Sequence, residues 1–277
     1  RPPRRGERHR ALVHVDQVNG GDAEAERPNF DELAATMPKR RLPLATDDVL
    51  ARAADALAPL AFGQRVLVDA APRSGRTTFL RTVAAAVQGA DGAKLVVLLV
   101  DERPEEATAW REALPEAELA IATAEMSAVD QLRTADLALA RARRLAERGA
   151  DAVLVVDSLS RIAVAADGDT AIVKRIFGSG RELEGDGPGS LTVIATTLAR
   201  DDEAHRAVSS TENALVVLSP ELAAAGVTPA LDAGGTRASN EEEILSADEL
   251  ESLRALRAEL SGLEPADAAA KLRERVS

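Results

Sequence analysis

Short apolar runs punctuate the chain at 66–68, 95–100, 119–121, 152–156, 191–195 and 214–218. Between them, at 75–88, 105–113, 128–148 and 170–183, apolar residues recur three and four positions apart. Continuous runs suit strands buried on both faces, and the longer spacing suits helices that cover them. Strands alternating with helices predict an α/β fold with a mostly parallel sheet flanked by helices.

Local signals set the expected ends. Thr46-Asp47-Asp48 supplies a cap for a helix running to Leu57, stopped by Pro59. Ser127 caps the 128–148 helix and Gly149 ends it, with Val129, Leu132 and Leu139 expected on its buried face. Ser246 and Glu249 form a capping-box pattern, and Pro265 suits the first position of a last helix. Residues 1–45 are rich in Pro, Arg and Gly, with strand-like alternation only at 11–15 and a turn expected at Asn19-Gly20-Gly21. The organisation expected is an extended lead-in over 1–45, a core over 46–239 and a helical extension of the same domain over 240–277. The chain opens on Arg1, and the lead-in is read as the link from an N-terminal domain.

Composition narrows the classes. Of the 277 residues, 45% are hydrophobic and 29% charged, a globular balance. No apolar run approaches the ~20 residues that span a bilayer, so the expected compartment is the cytoplasm. With no cysteine, disulfides, thiolate metal sites and cysteine nucleophiles are excluded. His9, His14 and His205 are scattered and make no metal-ligand spacing. The net charge of −12 does not itself attract polyanions. The five arginines among the first ten residues, and Lys39-Arg40-Arg41, read as solvated surface.

The candidate chemistry begins at residues 68–80, VDAAPRSGRTTFL, where a strand enters a tight turn and then a helix. A helix N-terminus after a buried strand offers free N–H groups to phosphate, Gly75 admits close backbone approach, and Thr77 stands where a hydroxyl meets Mg²⁺. Against the phosphate-loop template, Ala70 replaces the first glycine and Arg76 the lysine. Two further runs end in acids, LVVLLVDE at Asp101-Glu102 and AVLVVDS at Asp157-Ser158. Beside a phosphate loop, one such acid holds Mg²⁺ through water and a second orients the attacking water.

These residues and the text around them resemble the ATPase domain of the bacterial transcription termination factor Rho. The resemblance runs through RPNFDEL, RRLPLAT, GQRVLVDAAPRSGRTT, VVLLVDERPEE, VVDSLSRIA, KRIFG, GSLTVIATTL and GGTR, in family order. It implies a RecA-type P-loop core, ATP and Mg²⁺ as cofactors, a hexameric ring of identical subunits, and RNA and RNA polymerase as partners. By position, Arg73, Ser74, Gly75, Arg76, Thr77 and Thr78 would contact phosphates. Thr77 and Asp157 would serve Mg²⁺, the latter through water. Glu102 would polarise the attacking water, Arg161 would join the inter-subunit network, and Arg237 would be the finger reaching a neighbour's γ-phosphate. Thr228 would border the adenine.

The chain departs from that pattern at working parts. Arg73 and Arg76 stand where the family has lysines, Thr228-Pro229 replaces its Phe-Pro pair, and Gly226 replaces a basic residue. The segment from Ile162 to Val173 is shorter than the family's first pore loop. The segment from Ala199 to Ser210 carries Asp201, Asp202 and Glu203 where cations would grip RNA. Two readings follow: an ATP-driven RNA translocase, or a paralogue that has lost translocation and serves as a nucleotide-binding or assembly module. A rotary or export motor of the same fold is a third, and DERPEE argues against it.

Overall fold

A computed structural model of the chain describes residues 12–18, 21–24, 28–42, 44, 46–90, 92–185 and 189–277. The first arginine cluster and the expected turn residues Asn19 and Gly20 lie outside these. In the lead-in, β1 (Gln17–Val18) pairs antiparallel with β2 (Gly21–Asp22), and β3 (Ala35–Thr36) follows. The strand expected at 11–15 does not form over its described part; Leu12 and Val13 are exposed.

The core then alternates: α1 (Val49–Leu57), β4 (Arg65–Ala70), α2 (Arg76–Gln88), β5 (Ala93–Glu102), α3 (Pro104–Ala113), β6 (Glu118–Thr123), α4 (Ala128–Glu147) and β7 (Asp151–Asp157). It continues through α5 (Leu159–Ala165), α6 (Ala171–Phe177), β8 (Arg181–Leu183), β9 (Ser190–Thr197), α7 (Glu203–Val208), β10 (Ala214–Leu218) and α8 (Pro220–Ala224). The remaining elements are β11 (Arg237–Ala238), α9 (Glu241–Ile244), α10 (Ala247–Leu260) and α11 (Pro265–Val276).

The sheet runs β11-β10-β4-β9-β7-β5-β6, parallel from β10 to β6, with β11 antiparallel at one edge. Successive residues of each strand enter opposite layers. Val66 and Val68 pack with α1, α2, α10 and α11, whereas Leu67 packs with α4, α5 and α6. This explains why the strands read as unbroken apolar runs: neither face meets water.

Asp48 caps α1, Ser127 caps α4 and Ser246 with Glu249 closes the capping box of α10. The C-terminal helices fasten to α1: Leu260, Leu272 and Val276 enter the same layer, and Arg257 donates to the Leu57 carbonyl at 2.8 Å.

Four expectations change. The helix read over 170–183 stops at Phe177, where Gly178 and Gly180 break it, and 181–183 instead pair antiparallel with β9. The buried face of α4 is mainly alanine (Ala135, Ala138, Ala142, Ala146), so Val129 is left exposed. Residues 203–208, read as loop, are helical because Asp202 caps them through the His205 N–H at 2.6 Å. Lys39-Arg40-Arg41 is an anchor as well as a surface patch: Lys39 and Arg40 are exposed, as expected, and Arg41 is half-buried. Lys39 meets Glu243 at 2.8 Å, Arg40 meets Asp151 and Glu182 at 2.6 Å each, and Arg41 meets Asp55 at 2.7 Å. Upstream, Phe30 lies between two guanidinium groups, Arg143 at 4.9 Å and Arg181 at 4.8 Å from its ring centre.

Candidate nucleotide-binding site

The loop after β4 turns sharply. Arg73 (φ 67°) and Gly75 (φ 87°) both adopt left-handed backbone, and the Ser74 N–H bonds the Ala71 carbonyl at 3.2 Å. Around a Cβ placed on Gly75 nothing lies within 4 Å, so its positive φ, not crowding, requires glycine. Gly75 caps α2 without any side-chain bond, and the first helical bond is Phe79 N–H to Gly75 carbonyl at 3.0 Å. The N–H groups of Arg76, Thr77 and Thr78 are therefore left for a ligand, at the positive end of the helix. Within the turn, the Ser74 hydroxyl is fully buried and has no partner, a polar atom that a phosphate oxygen would satisfy.

The topology brings the acids to this loop. β7 lies one strand beyond β4, across β9, and β5 lies next to β7. Asp157 ends β7 with its side chain wholly buried, and Arg76 Nε lies 3.2 Å from both its Oδ1 and Oδ2. Burial pushes the Asp157 carboxyl above the usual carboxylate range; the Arg76 charge opposes this and the Glu102 charge adds to it. Thr196 of β9 approaches Oδ1 at 3.4 Å.

At the end of β5 the register shifts between Val100 and Glu102, with Asp101 at φ 56°. The bulge turns Asp101 to solvent and Glu102 inward. Arg161 then clamps the bend. Its Nη1 donates to Glu102 Oε2 and the Asp101 carbonyl at 2.8 Å each, and to the Val100 carbonyl at 3.2 Å. Arg161 is itself placed by α5, whose cap Ser158 accepts its N–H at 3.2 Å.

Ser74 to Thr78, Glu102, Asp157 and Arg161 thus line one edge of the sheet. Arg73 and Thr78 are exposed there and Thr77 is half-buried. Two expected site residues lie elsewhere. Arg237, on the edge strand β11, pairs with Leu215 and has four strands between it and β5, and its Nη2 donates to Glu212 at 3.2 Å. Thr228 is exposed between α8 and Pro229.

The sequence reading missed the Asp69–Arg200 ion pair and the network Leu198 N–H to Ser160 Oγ (2.9 Å) to Asp202 (2.5 Å). It ties the start of the 199–210 segment to α5; the one local hint was an acid inside the apolar run VLVDAA. A cleft of about 700 Å³ beside this pair reaches Ala71 but none of Arg76, Glu102 or Asp157. It adjoins the phosphate loop without containing the site.

A phosphate loop, a strand between it and the Asp157 strand, and a glutamate on the next strand define the class: a P-loop NTPase core of RecA type. The nucleotide-binding domain of the ATP synthase alpha/beta family matches residues 51–181. In fold, the chain is similar to an ATPase of the type III secretion system of pathogenic bacteria. That match has a TM-score of 0.70 at 22% identity and covers 82% of this chain and 70% of the other. Within that class, sequence is more specific. Transcription termination factor Rho of Streptosporangium roseum is 37% identical, covering 96% of this chain and 74% of that protein. The Streptomyces coelicolor protein is 38% identical (92% and 68%), and the Rhodopirellula baltica protein 32% identical (100% and 59%). The chain belongs to the Rho family. It spans about half the length of other Rho relatives, 47% for that of Mycobacterium tuberculosis and 48% for that of Mycobacterium leprae. Among the described residues no helix is long and apolar enough to cross a membrane.

Proposed function

We propose that the chain is the ATPase domain of a Rho-type termination factor, hydrolysing ATP at interfaces in a hexameric ring and using it to move RNA. One observation carries this reading: loop, Asp157 and Glu102 converge on one edge, with Glu102 held by Arg161. The phosphates take the free N–H groups at 76–78 and the Ser74 hydroxyl. Glu102, fixed and inward-facing, orients the attacking water and accepts its developing charge through hydrogen bonding. Arg237 lies beside Leu215 near the start of β10, at the end of the parallel strands opposite the phosphate loop that follows Ala70, so it acts on a neighbour's γ-phosphate, as a finger supplied in trans. Thr228-Pro229 leaves adenine without an aromatic platform, which lowers affinity rather than changing the chemistry.

The residues fit a nucleotide better than they fit Mg²⁺. Thr77 offers a hydroxyl with no bond to a described residue, but both Asp157 oxygens are engaged by Arg76, and among the described residues no group of three or more His, Cys, Asp or Glu could hold a metal.

One observation favours the second reading, a nucleotide-binding paralogue without translocation. The segment 199–210 is not an open basic loop but contains α7, with Ala204 and Val208 buried and Asp202 bonded to α5. RNA-stimulated ATP hydrolysis by the full-length protein separates the two. Stimulation supports translocation; turnover indifferent to every RNA supports the paralogue.

A further inference from the structure

We propose that Arg76 takes the metal's place in joining Asp157 to the phosphates, so that this chain binds nucleoside triphosphate without Mg²⁺. The inference rests on the nucleotide reading above. Mg²⁺ normally bridges a carboxylate and phosphate oxygens while keeping several of its own waters. Here the carboxylate side of that bridge already belongs to a cation. Arg76 Nε sits 3.2 Å from each Asp157 oxygen, Thr196 also reaches Oδ1, and the Asp157 side chain has no exposed surface. A metal-bound water would have to share this carboxylate with a guanidinium that already faces both of its oxygens.

The guanidinium is built to stay. The Arg76 side chain is only 13% exposed and faces both oxygens of a wholly buried carboxylate. It also has donors to spare. Nε alone is used, and neither terminal nitrogen bonds a described residue. Because the group is planar with its Nε edge on the carboxylate, the outer N–H bonds point away from Asp157. Arg76 is the first residue of α2, directly after Gly75, so its side chain starts from the run of free backbone N–H groups that would hold phosphate. Forked N–H donors match phosphate oxygens two at a time. A lysine has one compact charge at one point and does not span both partners as a rigid plate. The other acid of the site is also occupied by donors: Glu102 accepts from Arg161 at Oε2 (2.8 Å) and from the Arg103 N–H at Oε1 (3.2 Å).

The test is ATP binding to the full chain by calorimetry, in EDTA and in excess Mg²⁺, for the wild type and Arg76→Lys. The wild-type dissociation constant should change by less than about threefold, whereas Arg76→Lys should bind at least about tenfold more weakly in EDTA than in Mg²⁺. A wild type that needs Mg²⁺ overturns this proposal and leaves the nucleotide reading standing. Binding under neither condition overturns both. Arg76→Lys binding equally well in EDTA would show that metal independence does not come from the guanidinium, and it also overturns the proposal.

Discussion

Arg161 is the residue on which the attacking-water carboxylate depends, and Arg161→Met isolates that dependence. Methionine keeps an apolar stem of similar reach and removes every donor. Three acceptors lose their partner: Glu102 Oε2, and the carbonyls of Asp101 and Val100 at the bulge. The Glu102 side chain is 9% exposed, so its charge is left nearly buried and unpaired. Removing one partner of a fully buried pair costs about 3–5 kcal/mol. The Arg161 side chain is 23% exposed, so water replaces part of its contribution, and about 2–3 kcal/mol is expected. For a chain of this size each kcal/mol moves the melting temperature by about 2 °C, which gives a fall of about 4–6 °C. Combining the change with Glu102→Gln removes the stranded charge, so the double variant should recover much of that loss. Turnover should fall about a hundredfold in Arg161→Met, because a displaced carboxylate no longer aims the water. Thermal melts of the four proteins of the cycle read the coupling directly. Additive effects, with Arg161→Met melting within about a degree of the wild type, would refute the clamp.

Three other outcomes are expected. Gly63→Ala should lower stability by about 3 kcal/mol or prevent folding, since a Cβ at φ 86° would sit 2.4 Å from the Glu182 nitrogen; wild-type melting would contradict the packing of β8. Burial raises Asp151, but hydrogen bonds from Arg40 and Ser190 and the Arg40 charge more than offset it, so its pKa lies below 3.8. The unfolded chain therefore takes up the proton first, and the stability from this pair is present above about pH 4 and fades below it. The urea-midpoint gap between wild type and Arg40→Ala should hold at neutral pH and narrow in acid; a gap unchanged down to about pH 3 would contradict this. Arg237→Ala and Glu102→Gln should each be inactive alone, yet mixed subunits should regain turnover at interfaces that carry both intact residues. No recovery on mixing would remove the finger in trans.

The strands were legible because being covered on both faces makes them unbroken apolar words, and Ser127, Ser246 and Glu249 announced their helices through bonds made within one turn. The misread elements depend on partners distant in the chain. Arg181–Leu183 becomes a strand only because β9 and β3 offer an edge, and the buried face of α4 is written in alanine, which carries little periodic signal. The candidate site divides in the same way. Its residue types could be read locally, since a turn before a helix and acids at strand ends are short patterns. That Arg76 turns onto Asp157, and that Arg161 holds Glu102, follows from strand order and from the bulge at Asp101. Lys39-Arg40-Arg41 reads as surface until Glu243, Asp151, Glu182 and Asp55 arrive from four other parts of the chain.

The end of the sheet that carries Gly75, Asp157 and Glu102 is expected to bind ATP and to hydrolyse it. A single-turnover comparison of the assembled wild type with Glu102→Gln, measuring bound and cleaved ATP together, tests it most directly. Bound ATP should stay within about threefold while cleavage falls at least about a hundredfold. Cleavage at the wild-type rate by Glu102→Gln would contradict the claim.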